Sequence, residues 1–260
     1  MRKVNALIVR AAGTNCDRET AYAFELAGAQ TETAHINRLI EGERRMGAYD
    51  ILVIPGGFSF GDDVAAGKIL AVSLMRELGE DIRAFVAAKK PVLGICNGFQ
   101  ALVRMGLLPN LDGKFAQTAA LTENDTNRYE DRWVHLKCVS KKCIFTSYDS
   151  IVEYPVAHGE GKFVAKDEAL LDALFDNGQV VYRYADSRGN PGPFPVNPNG
   201  SPRDIAAVCD PGGTVLGLMP HPERHVFGYQ HPRWTREGLK EEGDGLALFR
   251  NAVEYVKKNI

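Results

Sequence analysis

The sequence predicts an α/β fold: an open, mostly parallel sheet flanked by helices, with additional strands in the second half. Three observations predict it. Over the first hundred residues, short apolar runs alternate with segments of helical periodicity, the pattern of β-α-β units joined by right-handed crossovers. Two of those runs end in glycine-bearing turns, and a third passes directly into a helix. Beyond residue 130 the pattern changes to short runs, one of them with period-two alternation.

Each element follows in order. Val4–Val9 is an apolar run closed by a Gly/Asn turn, and residues 16–27 read as a helix stopped by Gly28. Thr31–His35 and Ile51–Ile54 are the next strands, the latter closed by Pro55-Gly56-Gly57. Residues 64–88 read as one or two helices with a break near Gly79. Pro91–Ile95 is a fourth strand, followed at once by a helix from Asn97 to Met105. Ligands bind such sheets beyond the carboxyl ends of the strands, which places Gly13–Asn15, Gly56–Gly61 and Cys96 on one rim. In the second half, Val134, Leu136 and Cys138 alternate with polar partners as in a half-exposed strand. Ile151–Ala157, Val180–Tyr184, Ile205–Cys209 and Val215–Met219 read as further strands, and the Pro- and Gly-rich stretch 190–203 as a loop. Leu246, Phe249, Val253 and Val256 stand at helical spacing and predict a closing helix packed on the sheet. With no internal repeat and no linker, residues 1–260 read as one domain.

Composition narrows the function. A chain of 260 residues with 45% hydrophobic and 25% charged residues buries a core and is not disordered. A net charge of −2 gives no basic excess, which argues against a nucleic-acid binder. No apolar run approaches the roughly 18 residues of a membrane span. Arg2 and Lys3 open the chain as a signal peptide would, but the apolar stretch behind them is short and soon broken, and reads better as a buried strand. The five cysteines, at 16, 96, 138, 143 and 209, are odd in number and scattered, which suggests free thiols in a reducing cytoplasm.

The sharpest chemical signal is Gly94-Ile95-Cys96-Asn97-Gly98-Phe99-Gln100. A cysteine stands at a strand-to-helix corner with glycines two before and two after it. A nucleophile there needs a strained turn, and small neighbours let the backbones pass closely. The helix behind Cys96 points its partial positive charge at the sulfur and favours thiolate, while the Asn97 N–H is free to hold an oxyanion. A cysteine nucleophile needs a base with an orienting group. His221 follows an apolar strand, and Glu223, two residues on, folds back to the imidazole across a linker stiffened by Pro222. The Gly56-Gly57 pair exposes N–H groups that complete an oxyanion hole. For these motifs taken singly, a buried structural cysteine, a surface histidine and a plain turn are the more ordinary readings; together the catalytic one is favoured. His221, His225 and His231 lack the companions of a zinc site, so no metal is expected. Gly61…Gly67-Lys68 fails as a P-loop, with five residues between the glycines and Ile69 where Ser or Thr must bind magnesium.

The nucleophile corner, the strand-end Pro-Gly-Gly and the late Pro-His-Pro-Glu together resemble class I glutamine amidotransferases. That resemblance implies their flavodoxin-like fold, Cys96 as nucleophile, His221 as base and Glu223 as its orienter. It implies oxyanion donors at Gly57 and Asn97, and glutamine-pocket positions at Phe58 and Gln100. A finer similarity, carried by segments 13–20, 56–63, 157–163, 197–201 and 219–224, is to the glutaminase subunits of phosphoribosylformylglycinamidine synthases in purine biosynthesis. Ala12 departs from the proline expected before the Gly-Thr-Asn turn. This similarity implies L-glutamine as substrate and no cofactor in this chain. It further implies a synthetase partner subunit that uses ATP and magnesium, and a small third subunit. Asn15 and His158 are further pocket candidates on the same basis. The rivals are an amidotransferase of another pathway, a stand-alone cysteine hydrolase, and a non-catalytic relative of the same fold. Glycine-rich segments 56–62 and 157–161 speak against the first, and the presence of Cys96, His221 and Glu223 against the last.

Overall fold

A computed structural model describes residues 3–260, so Met1 and Arg2, at the head of the signal-like stretch, lie outside the described residues. The first half alternates as its apolar periodicity requires. Strands β1 (Asn5–Arg10), β2 (Gln30–His35), β3 (Ile51–Ile54) and β4 (Val92–Ile95) are separated by helices α1 (Asp17–Leu26), α2 (Ile36–Ile40) and α3 (Lys68–Ala87). Helix α4 (Asn97–Arg104) follows β4 without a loop. The second half holds β5 (Ala119–Thr122), β6 (Glu130–Cys138), β7 (Ile151–His158), β8 (Lys162–Ala165) and β9 (Val180–Ala185), with α5 (Glu168–Asp176) before β9. The chain continues through β10 (Ile205–Cys209), β11 (Val215–Leu218) and the short α6 (Trp234–Glu237), and ends in α7 (Leu246–Asn259).

The main sheet has nine strands in the order β2-β1-β3-β4-β11-β10-β9-β6-β7. From β2 to β11 every pairing is parallel, and from β11 to β7 every pairing is antiparallel. Strands β5 and β8 form a separate antiparallel pair. The central strands β3, β4 and β11 are buried along their whole length, which is why they read as continuous apolar runs rather than alternating ones. Helices α1 and α7 cover one face together, with Phe24 edge-on to Phe249 at 4.9 Å between ring centroids. The rings of Phe99 in α4 and Phe163 in β8 stack at 6.3 Å, tying the small sheet to α4.

Three expectations change. Helix α3 runs unbroken through Gly79, which is buried within it. The 190–203 loop ends in a 3-10 turn, Pro202–Asp204. Strands β5 and β8 and helix α5 were not legible, the strands because each is only partly buried and pairs only with the other.

Candidate active site

Cys96 stands at the junction of β4 and α4 with φ 51° and ψ −105°, a left-handed backbone that L-residues rarely adopt. Its neighbours allow the corner. A Cβ on Gly98 would collide with the carbonyl oxygen of Ile54 on β3, and one on Gly94 would lie 2.7 Å from the Gly98 carbonyl oxygen. The Cys96 N–H donates to the Leu218 carbonyl at 2.8 Å, holding the corner against the end of β11. Just beyond that end stands His221, whose N–H donates to the Pro155 carbonyl of β7 at 2.8 Å. The antiparallel half therefore curls back over the carboxyl edge of the parallel half. Cys96 Sγ lies 3.7 Å from the Ala157 carbonyl of the same strand.

Pro222 opens a 3-10 turn over Pro222–Arg224, and the turn folds Glu223 back onto His221. Nδ1 of His221 and Oε1 of Glu223 are 2.7 Å apart, with both side chains buried. Burial alone would push the imidazolium down; the Glu223 carboxylate and the Cys96 sulfur outweigh it and carry His221 well above its ordinary value. With Nδ1 held by the carboxylate, Nε2 is left free, buried and without a hydrogen-bond partner among the described residues.

Two sulfurs approach this imidazole. A Cβ on Gly56 would lie 2.8 Å from His221 Cε1, 3.1 Å from Cys16 Sγ and 3.5 Å from Cys96 Cβ. Cys16 Sγ is 4.0 Å from Nδ1, the nitrogen already held by Glu223. It accepts from Arg224 Nη2 at 3.0 Å and is sealed from solvent, and burial pushes its thiol up. Cys96 instead opens into a cleft of about 160 Å³ shared with Gly57, Phe58, Gln100, Tyr129, His158 and Glu160. Cys16, His221 and Glu223 lie close enough to suggest a metal trio. The 2.7 Å contact between nitrogen and carboxylate is nevertheless a hydrogen bond. Two ligands of one tetrahedral zinc would stand about 3.3 Å apart.

The remaining candidates fall around the cleft. Gly57, at φ 143°, forms an isolated bridge with Thr14, and a Cβ there would meet the Asn15 nitrogen at 2.7 Å. The Asn97 N–H belongs to the first turn of α4, where the helix supplies no acceptor. Asn97 Nδ2 donates to Asp62 Oδ1 at 2.9 Å and to Gln100 Oε1 at 3.0 Å, while its Oδ1 accepts from the Ser59 N–H at 3.2 Å. Gln100 Nε2 donates to the Glu160 carbonyl at 2.6 Å. Phe58 is half exposed at the rim and stacks on Tyr129 at 6.4 Å.

His158 is buried in the cleft wall. Burial, and then the charge of His221, push it down to about 3, so it is neutral at pH 7. Asn124 decides its tautomer. Its Nδ2 donates to the Arg128 and His158 carbonyls at 2.8 Å each, so its Oδ1 faces His158 Nδ1 as an acceptor, at 3.1 Å. The ring proton therefore sits on Nδ1, and Nε2 is a bare acceptor with no partner among the described residues. Asn15 is exposed and does not line the cleft; its Oδ1 lies 3.2 Å from Cys16 Sγ. Sequence reasoning missed Tyr129, Asp62 and Glu160, and the Cys16–Arg224 pair behind the imidazole. Cys16 carried one signal: it follows directly on the Gly13–Asn15 turn assigned to the rim.

A family model described as the CobB/CobQ-like glutamine amidotransferase domain matches residues 3–256. The chain is 48% identical over 259 residues to phosphoribosylformylglycinamidine synthase subunit PurQ of Dehalococcoides mccartyi, covering 99% of this chain and 100% of that protein. The chain belongs to the PurQ family of glutamine amidotransferases. A PurQ of Archaeoglobus fulgidus is 43% identical, with 98% of each chain covered. Among solved structures, a chain of PurLQS from Thermotoga maritima superposes with a TM-score of 0.74 at 28% identity, covering 98% of this chain and 100% of that one. A second Thermotoga maritima glutamine amidotransferase, at 17% identity and a TM-score of 0.53 over 99% of this chain and 94% of that one, shares the fold. The PurQ relatives thus agree with the fold class and family read from the sequence.

Proposed function

We propose that this chain is the glutaminase subunit of a phosphoribosylformylglycinamidine synthase, acting as one domain over residues 1–260. The observation that carries the mechanism is a cleft-facing, strained Cys96 beside an imidazole whose other nitrogen is held by Glu223 at 2.7 Å. Cys96 Sγ attacks the side-chain amide carbon of L-glutamine. The N–H groups of Gly57 and Asn97 hold the oxyanion. His221, protonated by the exchange, gives its proton to the departing ammonia and leaves a glutamyl thioester. Water activated by His221 then cleaves the thioester to glutamate and restores the thiol. Phe58 and Gln100 shape the pocket, and the bare Nε2 of His158 accepts from a glutamine N–H donor. Asn15 stands outside the cleft and takes no part in the reaction as derived.

In this reading the ammonia passes to a synthetase subunit, where ATP and magnesium drive its insertion into formylglycinamide ribonucleotide to give the amidine. The chain itself carries no cofactor. The name PurLQS of the Thermotoga maritima complex supports a synthetase partner and a small third subunit. No helix among the described residues is long and apolar enough to cross a membrane, and the five free cysteines suit a cytoplasmic setting. The test is labelling by a glutamine-like diazoketone, mapped by mass spectrometry, with and without excess glutamine and with and without the synthetase subunit. One adduct on Cys96, suppressed by glutamine, is expected. An adduct on Cys16, or none in the complex, would overturn the assignment.

A further inference from the structure

Cys16 and Arg224 sit behind the imidazole and have no part in the reaction as derived. We propose that Cys16 is a positioning residue: its sulfur occupies Arg224 and so keeps that guanidinium off the free oxygen of Glu223. This rests on the reading of Cys96, His221 and Glu223 as the triad.

The geometry makes the competition concrete. Glu223 is fully buried; Oε1 is taken by His221, and Oε2 has no hydrogen-bond partner among the described residues. A buried carboxylate oxygen without a donor attracts any cation in reach. Arg224 is the next residue in the chain, half-buried, and its charge and that of Glu223 act on each other. A forked contact onto Glu223 is the ordinary preference of a guanidinium. Instead, Arg224 Nη2 donates to Cys16 Sγ at 3.0 Å. Its Nε lies 3.5 Å from Glu19 on the half-exposed side.

Cys16 is itself fixed from three directions. Its N–H donates to the Gly56 carbonyl at 3.2 Å, its carbonyl accepts from Thr20 Oγ1 at 2.6 Å, and its sulfur is 3.2 Å from Asn15 Oδ1. Gly56, with no side chain, leaves the sulfur room beside His221. A thiol suits the position because it accepts from Arg224 without adding an anion that would compete with Glu223 for His221.

The consequence falls on His221. The titratable and charged groups around it are Glu223 and Arg224 from its own turn, Cys16 just before α1, Cys96 at the head of α4, and Tyr129 and His158 from the neighbouring loop and β7, with Glu19 of α1 against Arg224. Only the Glu223 side holds a charge that the removal of Cys16 would redirect. If Arg224 swings onto Glu223, the carboxylate is partly neutralised and the imidazolium loses support.

The experiment is a histidine-labelled NMR titration of His221 in the full chain, with the pH profile of kcat/KM for glutamine measured in the assembled complex. In Cys16→Ala the His221 midpoint falls by about one pH unit or more, a tenfold change in protonation. The alkaline limb of kcat/KM moves the same way. In Cys16→Ala/Arg224→Gln, which removes the competing cation, the midpoint returns to the wild-type value. An unmoved midpoint in Cys16→Ala, or a double variant that fails to recover, overturns the proposal. Arg224→Gln alone leaves the sulfur in place and does not lower the midpoint; a fall there overturns it equally, even where Cys16→Ala does not fold. Diazoketone labelling of the wild-type chain keeps the two readings apart. Without an adduct on Cys96 the triad fails, whatever His221 titrates at.

Discussion

Glu223→Gln removes a charge and keeps a shape. The Nδ1–Oε1 contact is 2.7 Å and both side chains are buried, so the amide oxygen still reaches the ring. What disappears is the carboxylate's hold on the imidazolium. For charges about 4 Å apart at an effective dielectric of about 20, that attraction is about 4 kcal/mol, and about 1.4 kcal/mol corresponds to one pH unit. His221 therefore loses up to about three pH units of support, leaving the two neighbouring sulfurs to act against burial. The sign is fixed: His221 titrates lower than in the wild type, and the alkaline limb of glutamine turnover moves to lower pH. At neutral pH we expect a loss of about 10²-fold or more in kcat, in the range of a misplaced general acid. The assay is glutamine-dependent synthesis by the complex across pH, with ammonia-dependent synthesis as the control for folding and assembly. A wild-type glutamine rate, or an alkaline limb that has not moved, would remove Glu223 from the triad.

Cys96→Ala should abolish glutamine-dependent synthesis and leave synthesis from free ammonia; loss of both in a folded, assembled complex would refute the transfer of ammonia between subunits. Gly98→Ala forces a Cβ against the Ile54 carbonyl, so α4 must shift and carry the Asn97 N–H with it. We expect a stability loss of about 1–3 kcal/mol and a fall of about 10²-fold in kcat, checked by denaturant melts and turnover. Stability without the rate loss would take Asn97 out of the oxyanion hole. His158 is lowered to about 3 in the fold, so its contribution is present above its unfolded value of about 6.5 and is lost as pH falls toward 3. By pH 5 this amounts to about 2 kcal/mol, seen as a steeper acid-side loss of the urea midpoint in the wild type than in His158→Asn. Equal slopes would mean that His158 is protonated where it stands.

The centre of the parallel half was legible because β3 and β4 are buried along their whole length, unlike the edge strand β2. Ile51–Ile54 and Val92–Ile95 carry no polar residue, and glycine marks the close approaches around β4. Length was enough to define them, and the rim followed from topology. The antiparallel half was legible as strands but not as an arrangement. Nothing local in Ile151–His158 states that it returns to the carboxyl edge of β11, yet the Pro155 carbonyl holds the His221 N–H there. That contact joins residues 66 positions apart, and only the completed sheet brings them together.

The site divides in the same way. Cys96 and Glu223 were readable as candidates because the turn of each is shaped by its neighbours, the glycines in one case and Pro222 in the other. Cys16 was not, because its sequence context is that of a turn, and its significance lies in what stands across from it. Of the two sulfurs near His221, that of Cys16 lies 4.0 Å from Nδ1, while that of Cys96 opens into the cleft. Glu223 claims Nδ1, so a sulfur near that nitrogen finds no base, only a neighbour with a charge to be kept in place. Cys96 lies in the cleft, beside an imidazole whose Nε2 is free. On the proposed reading, the carboxylate that orients the base therefore also disfavours Cys16 as the nucleophile, because it already holds the one ring nitrogen that sulfur approaches.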